Sequence, residues 1–228
     1  MGEGDLRFIF YMSFLVQEIV KFGISEETIA LVLMLPVVAT FIAFCRQVIG
    51  IRGLGIYITS LIAFAFVETQ IKYGIVIFFV VLFSGTFMRF LMKKARIQYL
   101  PRMAIVLTGV SFSIFLMFFL GTYFKIEGLR VISIFPILMM ILLTERFVAI
   151  QIERGQKMAI LLVSETLVLA IVSYFIINSV YLRNILLSWP IASLCVIFLF
   201  NFALGKWTGF RITEYFRFRE LMDYLSKK

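Results

Sequence analysis

The stretch YGIVIFFVVLFSGTFMRFLMKKAR, residues 73–96, decides the fold. Its first twenty residues, Tyr73 to Met92, carry a single charge, Arg89, and Lys93, Lys94 and Arg96 follow at once. Twenty helical residues at 1.5 Å each reach about 30 Å, the thickness of a bilayer's hydrocarbon core. A basic cluster at one end is what the cytoplasmic flank of a membrane-crossing helix carries. The stretch predicts a transmembrane helix over 73–92.

Outward from it the same pattern recurs. Helices are expected at about 28–45, 54–69, 73–92, 103–123, 131–150, 158–179 and 188–205. The breaks carry punctuation: Gly50, Gly53 and Gly55; Lys72; the basic run before Pro101; Glu127-Gly128; Arg154-Gly155; and Trp189-Pro190 opening the last helix. Ser25 with Glu26 and Glu27 supplies a capping hydroxyl and two acids at the positive end of the first dipole. With 62% hydrophobic and 15% charged residues and a mean hydropathy of +1.05, the chain has too little polar surface for a soluble domain of its length. Lipid must replace water around most of it. The expected fold is all-α, a polytopic seven-helix transmembrane bundle with short amphipathic interfacial helices at both ends.

Three regions follow: an N-terminal interfacial helix and cap over 1–27, the seven-helix domain over 28–205, and a basic amphipathic tail over 206–228. The apolar segment Leu6–Val20 reaches roughly 22 Å, short of a crossing, so it lies in the interface or forms a short eighth span. In the tail, Phe210, Tyr215, Phe216 and Phe218 alternate with Arg211, Arg217 and Arg219. A helix of that composition rests on an anionic leaflet, with partner docking as the alternative. Near the start, Glu3 and Asp5 and the lack of a small-residue cleavage site argue against a cleavable signal peptide.

Sixteen of the 22 lysines and arginines fall on one side of this topology and six on the other. The positive-inside rule puts the basic loops and the C-terminus in the cytoplasm and Gly23 outside. It also explains the net charge of +9 better than nucleic-acid binding does, since no aromatic-interleaved polar surface is present to follow a phosphate backbone. Cys45 and Cys195 sit in or at the edge of apolar segments and read as packing residues, not a disulfide framework.

The chain has no histidine, which removes histidine triads, zinc-protease motifs and most transition-metal sites. Asp5 and Asp223 are its only aspartates, so no paired intramembrane aspartate site exists. No nucleotide-binding motif is present, and neither cofactor nor metal is expected. Gly50-Ile51-Arg52-Gly53-Leu54-Gly55 reads as a glycine-rich turn between helices, or as an anion-binding cradle built on Gly50, Arg52, Gly53 and Gly55.

Glu165 is the most informative single residue. It lies seven residues past Met158, about 10 Å below the edge of the apolar region, where a carboxylate is costly unless paired, neutral or beside water. Arg89 and Arg146, from helices ending on the same side, are the expected ion-pair partners; a ligand or proton site is the alternative. Glu68 has Lys72 one turn on as its expected neighbour. Two helices look irregular: 54–69 has only fourteen strongly apolar residues before Glu68, about 21 Å, and Ile134-Phe135-Pro136 interrupts 131–150. They would correspond if helices 1–3 and 4–6 were inverted halves, whereas a proline kink and a tight turn explain them separately.

The runs Gly23-Ile24-Ser25-Glu26-Glu27-Thr28 to Gly53-Leu54-Gly55-Ile56-Tyr57, Tyr99-Leu100-Pro101-Arg102, Phe135-Pro136, Thr144-Glu145-Arg146-Phe147 and Gly205-Lys206-Trp207-Thr208-Gly209-Phe210-Arg211 occur in this order. In that order and spacing they resemble the bacterial family of seven transmembrane helices usually fused to an inactive transglutaminase, over roughly Phe22 to Leu221. The resemblance implies an inner-membrane module, with a transglutaminase-like domain on the periplasmic side and glutamate-ligase-like ATP-grasp proteins as companions. It carries no catalytic residues. About 28 residues precede the first helix here, so the periplasmic domain is expected on a separate polypeptide.

The leading expectation is a non-catalytic module in the lipid bilayer that anchors or couples a periplasmic transglutaminase-like protein and a cytoplasmic ATP-grasp ligase. The alternative is a transporter or export channel for an anionic peptide or amino acid, with Arg52, Arg89 and Arg146 attracting it and Glu165 as the coupling group. A third class, an intramembrane transferase with Glu145 or Glu165 as base, needs a polar cavity with convergent groups.

Overall fold

A short amphipathic helix, α1 (Phe14–Lys21), opens the part of the chain that the computed structural model describes: residues 14–93, 97–125 and 133–206. The beginning of the Leu6–Val20 segment lies outside those residues, as do Lys94, Arg96, Glu127 and the tail with Arg211, Arg217 and Arg219.

α2 (Glu26–Phe44) starts where its cap predicts: the Ser25 hydroxyl accepts from the Thr28 amide at 3.3 Å, with Glu26 and Glu27 in the first turn. A π-helical turn, Cys45–Ile49, continues it to Gly50, whose φ of 95° ends the helix and whose amide reaches the Cys45 carbonyl at 3.0 Å.

The continuous stretch Ile56–Met92 would be about 55 Å long if straight. Gln70, at φ 61° and ψ 144°, breaks it. The rings of Phe66 and Phe78 lie 6.3 Å apart, where one straight helix would put them about 18 Å apart. The stretch is a hairpin of two helices, α3 (56–69) and α4 (71–92). Its arms touch so closely beside the reversal that a Cβ on Gly74 would strike Phe66 and Thr69. The turn sits at Gln70, ahead of the expected marker Lys72.

α5 (Tyr99–Tyr123) takes Pro101 into its first turn, where the missing N–H has no helical partner to lose. α6 (Ile134–Glu153) does the same with Pro136, after Ser133 caps it by accepting from the Phe135 amide. Pro136 therefore starts this helix without kinking it. α7 (Gln156–Ile177) follows Gly155 at φ 88°.

The expected helix over 188–205 is present as α9 (Pro190–Gly205), and an additional short helix, α8 (Val180–Ser188), precedes it, the two bent by 107° at Trp189. Four helical stretches besides Ile56–Met92 are long and apolar enough to cross a membrane singly, and the α8–α9 pair forms a broken span or re-entrant loop. With the hairpin counted as two, seven apolar segments stand where seven were expected.

The chain divides into two compact units, one of residues 53–174 and the other of 1–52 with 175–228. That division does not separate helices 1–3 from 4–6, and an unbroken α6 removes one of the two irregularities on which inverted halves rested. In the 53–174 unit α4 packs against α5 and α6. Small residues let the backbones approach: a Cβ on Gly85 would collide with Thr144 of α6. Ser84 and Ser113 bond each other at 2.8 Å across α4 and α5. Phe66, Phe78, Ile77, Met140 and Leu143 are fully buried, whereas Phe83 is 76% exposed, as a lipid-facing surface requires.

In the other unit, α2 and α9 pack in the same direction. Asn201 donates to Thr40 Oγ1 at 2.6 Å, Gln47 to the Leu204 carbonyl at 2.8 Å, and Arg183 of α8 lies 3.9 Å from Glu26 at the opposite end. Helices that cross a membrane in the same direction are separated in sequence by an odd number of crossings. Five lie between them when the hairpin counts as two, and four when it counts as one. The parallel pairing agrees with seven.

Candidate functional site

α3 has fourteen residues and rises about 21 Å, too little to cross a hydrocarbon core of ~30 Å. The residues before it supply the difference. The Gly53 amide donates to Glu165 Oε2 at 2.9 Å, and the Leu54 amide donates to Thr166 Oγ1 at 2.8 Å. Glu165 sits about 10 Å inside the apolar part of α7. The start of α3 is held at that depth, and 10 Å plus 21 Å completes the crossing.

Irregular backbone at such depth is tolerated only where its polar groups find partners in protein or in a water-filled cavity. Glu165 and Thr166 between them accept from two successive backbone amides. Thr166, fully buried, donates its own proton to the Leu162 carbonyl at 2.7 Å, which leaves its oxygen free to accept from Leu54. At the same helix start the Thr59 hydroxyl donates to the Gly55 carbonyl at 2.7 Å. Gly53 has φ +48°, in the left-handed region, and a Cβ there would lie 3.4 Å from Thr166 Oγ1. The glycine is favoured by the backbone conformation, while a Cβ would meet α7 at ordinary contact distance.

Two sequence candidates thus converge: the glycine turn, read as an anion cradle, and Glu165, read as a charge in need of a partner. Two amides of the cradle are held by side chains of the chain itself, one of them a carboxylate. Gly50 ends the π-helical turn, Gly55 (φ 135°) leads into α3, and Arg52 is exposed.

The arginines proposed for Glu165 lie elsewhere. Arg89 donates to Gln151 twice, to its side-chain oxygen at 3.2 Å and its carbonyl at 2.8 Å. Gln151, 1% exposed, donates in turn to Thr86 Oγ1 at 3.1 Å. The three residues tie the last turns of α4 and α6. Arg146 and Glu145 are both exposed, on the face of α6 opposite the buried Leu143, Thr144 and Phe147. Glu68 accepts from Ser133 at the start of α6, so α3 and α6 meet there. Arg211, Arg217 and Arg219 lie outside the described residues.

Thr166, Gln151 and Thr86 were not legible as site residues. Thr166 adjoins Glu165, and that adjacency is the one signal that could have found it; Gln151 looks like the frayed polar end of a helix. Among the described residues, no three histidine, cysteine, aspartate or glutamate side chains come together in a way that could hold a metal ion.

No curated protein and no solved structure matches the chain. Residues 11–222 match the family described as seven transmembrane helices usually fused to an inactive transglutaminase. The match takes in every described helix, agrees with the seven apolar segments, and leaves only the chain ends outside. This multi-pass, all-α membrane protein belongs to that family.

Proposed function

We propose that the chain is a non-catalytic module of the bacterial inner membrane, its basic loops and C-terminus in the cytoplasm, which anchors or couples partners on the two sides. The partners are a periplasmic transglutaminase-like protein and a cytoplasmic ATP-grasp ligase of the glutamate-ligase kind, which together make, modify or export an amino-acid-based product.

One observation carries this reading: the polar groups at membrane depth serve architecture. Glu165 and Thr166 hold the start of α3, and Arg89, Gln151 and Thr86 hold α4 to α6. A transferase needs an acid and a base converging on a cavity, and Glu145, the second carboxylate considered for that role, is exposed. A transport path for an anion would need Arg52, Arg89 and Arg146 along its wall. Arg89 is engaged by Gln151 and Arg146 stands on an exposed face, which favours the anchoring role. The charge asymmetry supports the orientation.

Crosslinking in intact cells followed by purification in mild detergent tests the proposal. Recovery of a periplasmic transglutaminase-like protein and an ATP-grasp ligase with the chain is expected. Recovery of neither, together with vesicle uptake of an anionic peptide that Glu165→Gln abolishes, would replace it with the transport reading.

A further inference from the structure

The groove between α4 and α5 has a volume of about 690 Å³, within the usual range for a small-ligand site. Its lining runs from Val76 to Met88 on α4 and from Gly109 on α5 to Phe124 just past its end. Twelve residues of helix rise about 18 Å, close to the ~15 Å depth of one leaflet's hydrocarbon.

The floor is made of small buried residues, Ser84, Gly109 and Gly121, and the exposed rim of Phe83, Phe112 and Phe124. The floor hydroxyls are already occupied: Ser84 and Ser113 bond each other and the Gly109 carbonyl, joining the two walls. A transmembrane helix docks where small residues form the rim and let backbones approach. Here the small residues lie beneath a rim of phenylalanines, so the slot suits a flexible chain better than a helix.

Charge marks one end. Lys72 stands one turn before Val76, and Lys125 follows Phe124 directly; both lysines are exposed. We propose that the α4–α5 groove binds one acyl chain of an anionic phospholipid, with its phosphate held at the Lys72–Lys125 end. The long chain takes the apolar slot of one-leaflet length, and the two ammonium groups select an anionic headgroup over a zwitterionic one.

The test uses the full chain in nanodiscs of phosphatidylcholine doped with phosphatidylglycerol, and native mass spectrometry of the lipid retained after transfer to detergent. Wild-type protein is expected to keep phosphatidylglycerol in preference to phosphatidylcholine. Lys72→Gln with Lys125→Gln should lower that preference by about tenfold or more. Leu116→Trp, which fills the groove from its half-exposed wall, should abolish retention of either lipid while circular dichroism and elution volume stay unchanged. Equal retention of the two lipids by wild type would overturn the proposal, as would a preference untouched by both variants. Conversion of a dimer to a monomer by Leu116→Trp would assign the groove to a second copy and overturn it equally.

Discussion

The protein interrupts its helical backbone in two places, before α3 and between α8 and α9, and satisfies the freed backbone groups in opposite ways. Before α3, the amides of Gly53 and Leu54 are taken by side chains of a helix more than a hundred residues away, Glu165 and Thr166. Between α8 and α9, the chain turns through 107° and its backbone groups at the bend are bonded locally. The Trp189 amide bonds the Ile185 carbonyl at 3.0 Å, the Trp189 carbonyl accepts from Ser193 at 2.9 Å, and Pro190 brings no N–H at all. The first break is a tertiary contract, and the second is closed within the nine residues from Ile185 to Ser193. An interruption closed locally should tolerate change; one closed by a distant carboxylate should not.

The largest effect is expected at the distant partner. Glu165→Leu leaves the Gly53 amide without its acceptor in an apolar setting and should lower stability by roughly 2–3 kcal/mol, read as thermal unfolding in mild detergent. Glu165→Gln keeps an acceptor oxygen and should recover about half of that loss. If both variants unfold like wild type, the helix start is not held by Glu165 and the contrast collapses.

Gly53→Ala comes next, at about 1–2 kcal/mol, because φ +48° puts an L-residue in the left-handed region. Thr166→Val removes only a neutral acceptor and should cost about 1 kcal/mol. Hydrogen exchange at Leu54 should rise in Thr166→Val, and an unchanged rate would show that the amide has another partner. The smallest effect belongs to the other break. Pro190→Ala should change stability by only about 0.5 kcal/mol, mostly through the unfolded chain. A loss of several kcal/mol there would show that the bend depends on the proline after all.

The same contrast explains what the sequence could and could not disclose. Seven apolar runs and their flanks located the helices within a few residues, because lipid forces composition and length to carry the signal. Trp189-Pro190 was legible as a helix opening. α8 ahead of it was not, since Arg183 and Asn184 divide its nine residues into apolar pieces too short to register as a helix. Pro136 looked like an interruption because proline in a first turn and proline in a kink leave the same local sequence. Gln70 gave no warning, for glutamine is not turn punctuation, and its positive φ accompanies the close approach of Gly74 to Phe66.

Glu165 stood out as a charge at depth, yet the Gly53 amide from which it accepts could not be read, because a backbone amide has no letter of its own. An arginine was the visible candidate. Arg89 instead found Gln151, a neutral residue whose oxygen and carbonyl together accept two of its donors.

The hairpin reversal at Gln70 is the point on which the seven-crossing account turns. Single cysteines at Lys72 and Lys93, in a chain whose own Cys45 and Cys195 are replaced by alanine, test it with an impermeant maleimide. Lys72→Cys should react in intact spheroplasts and Lys93→Cys only after permeabilisation. Reaction of both from the same side, or no reaction of Lys72→Cys under either condition, would contradict the account.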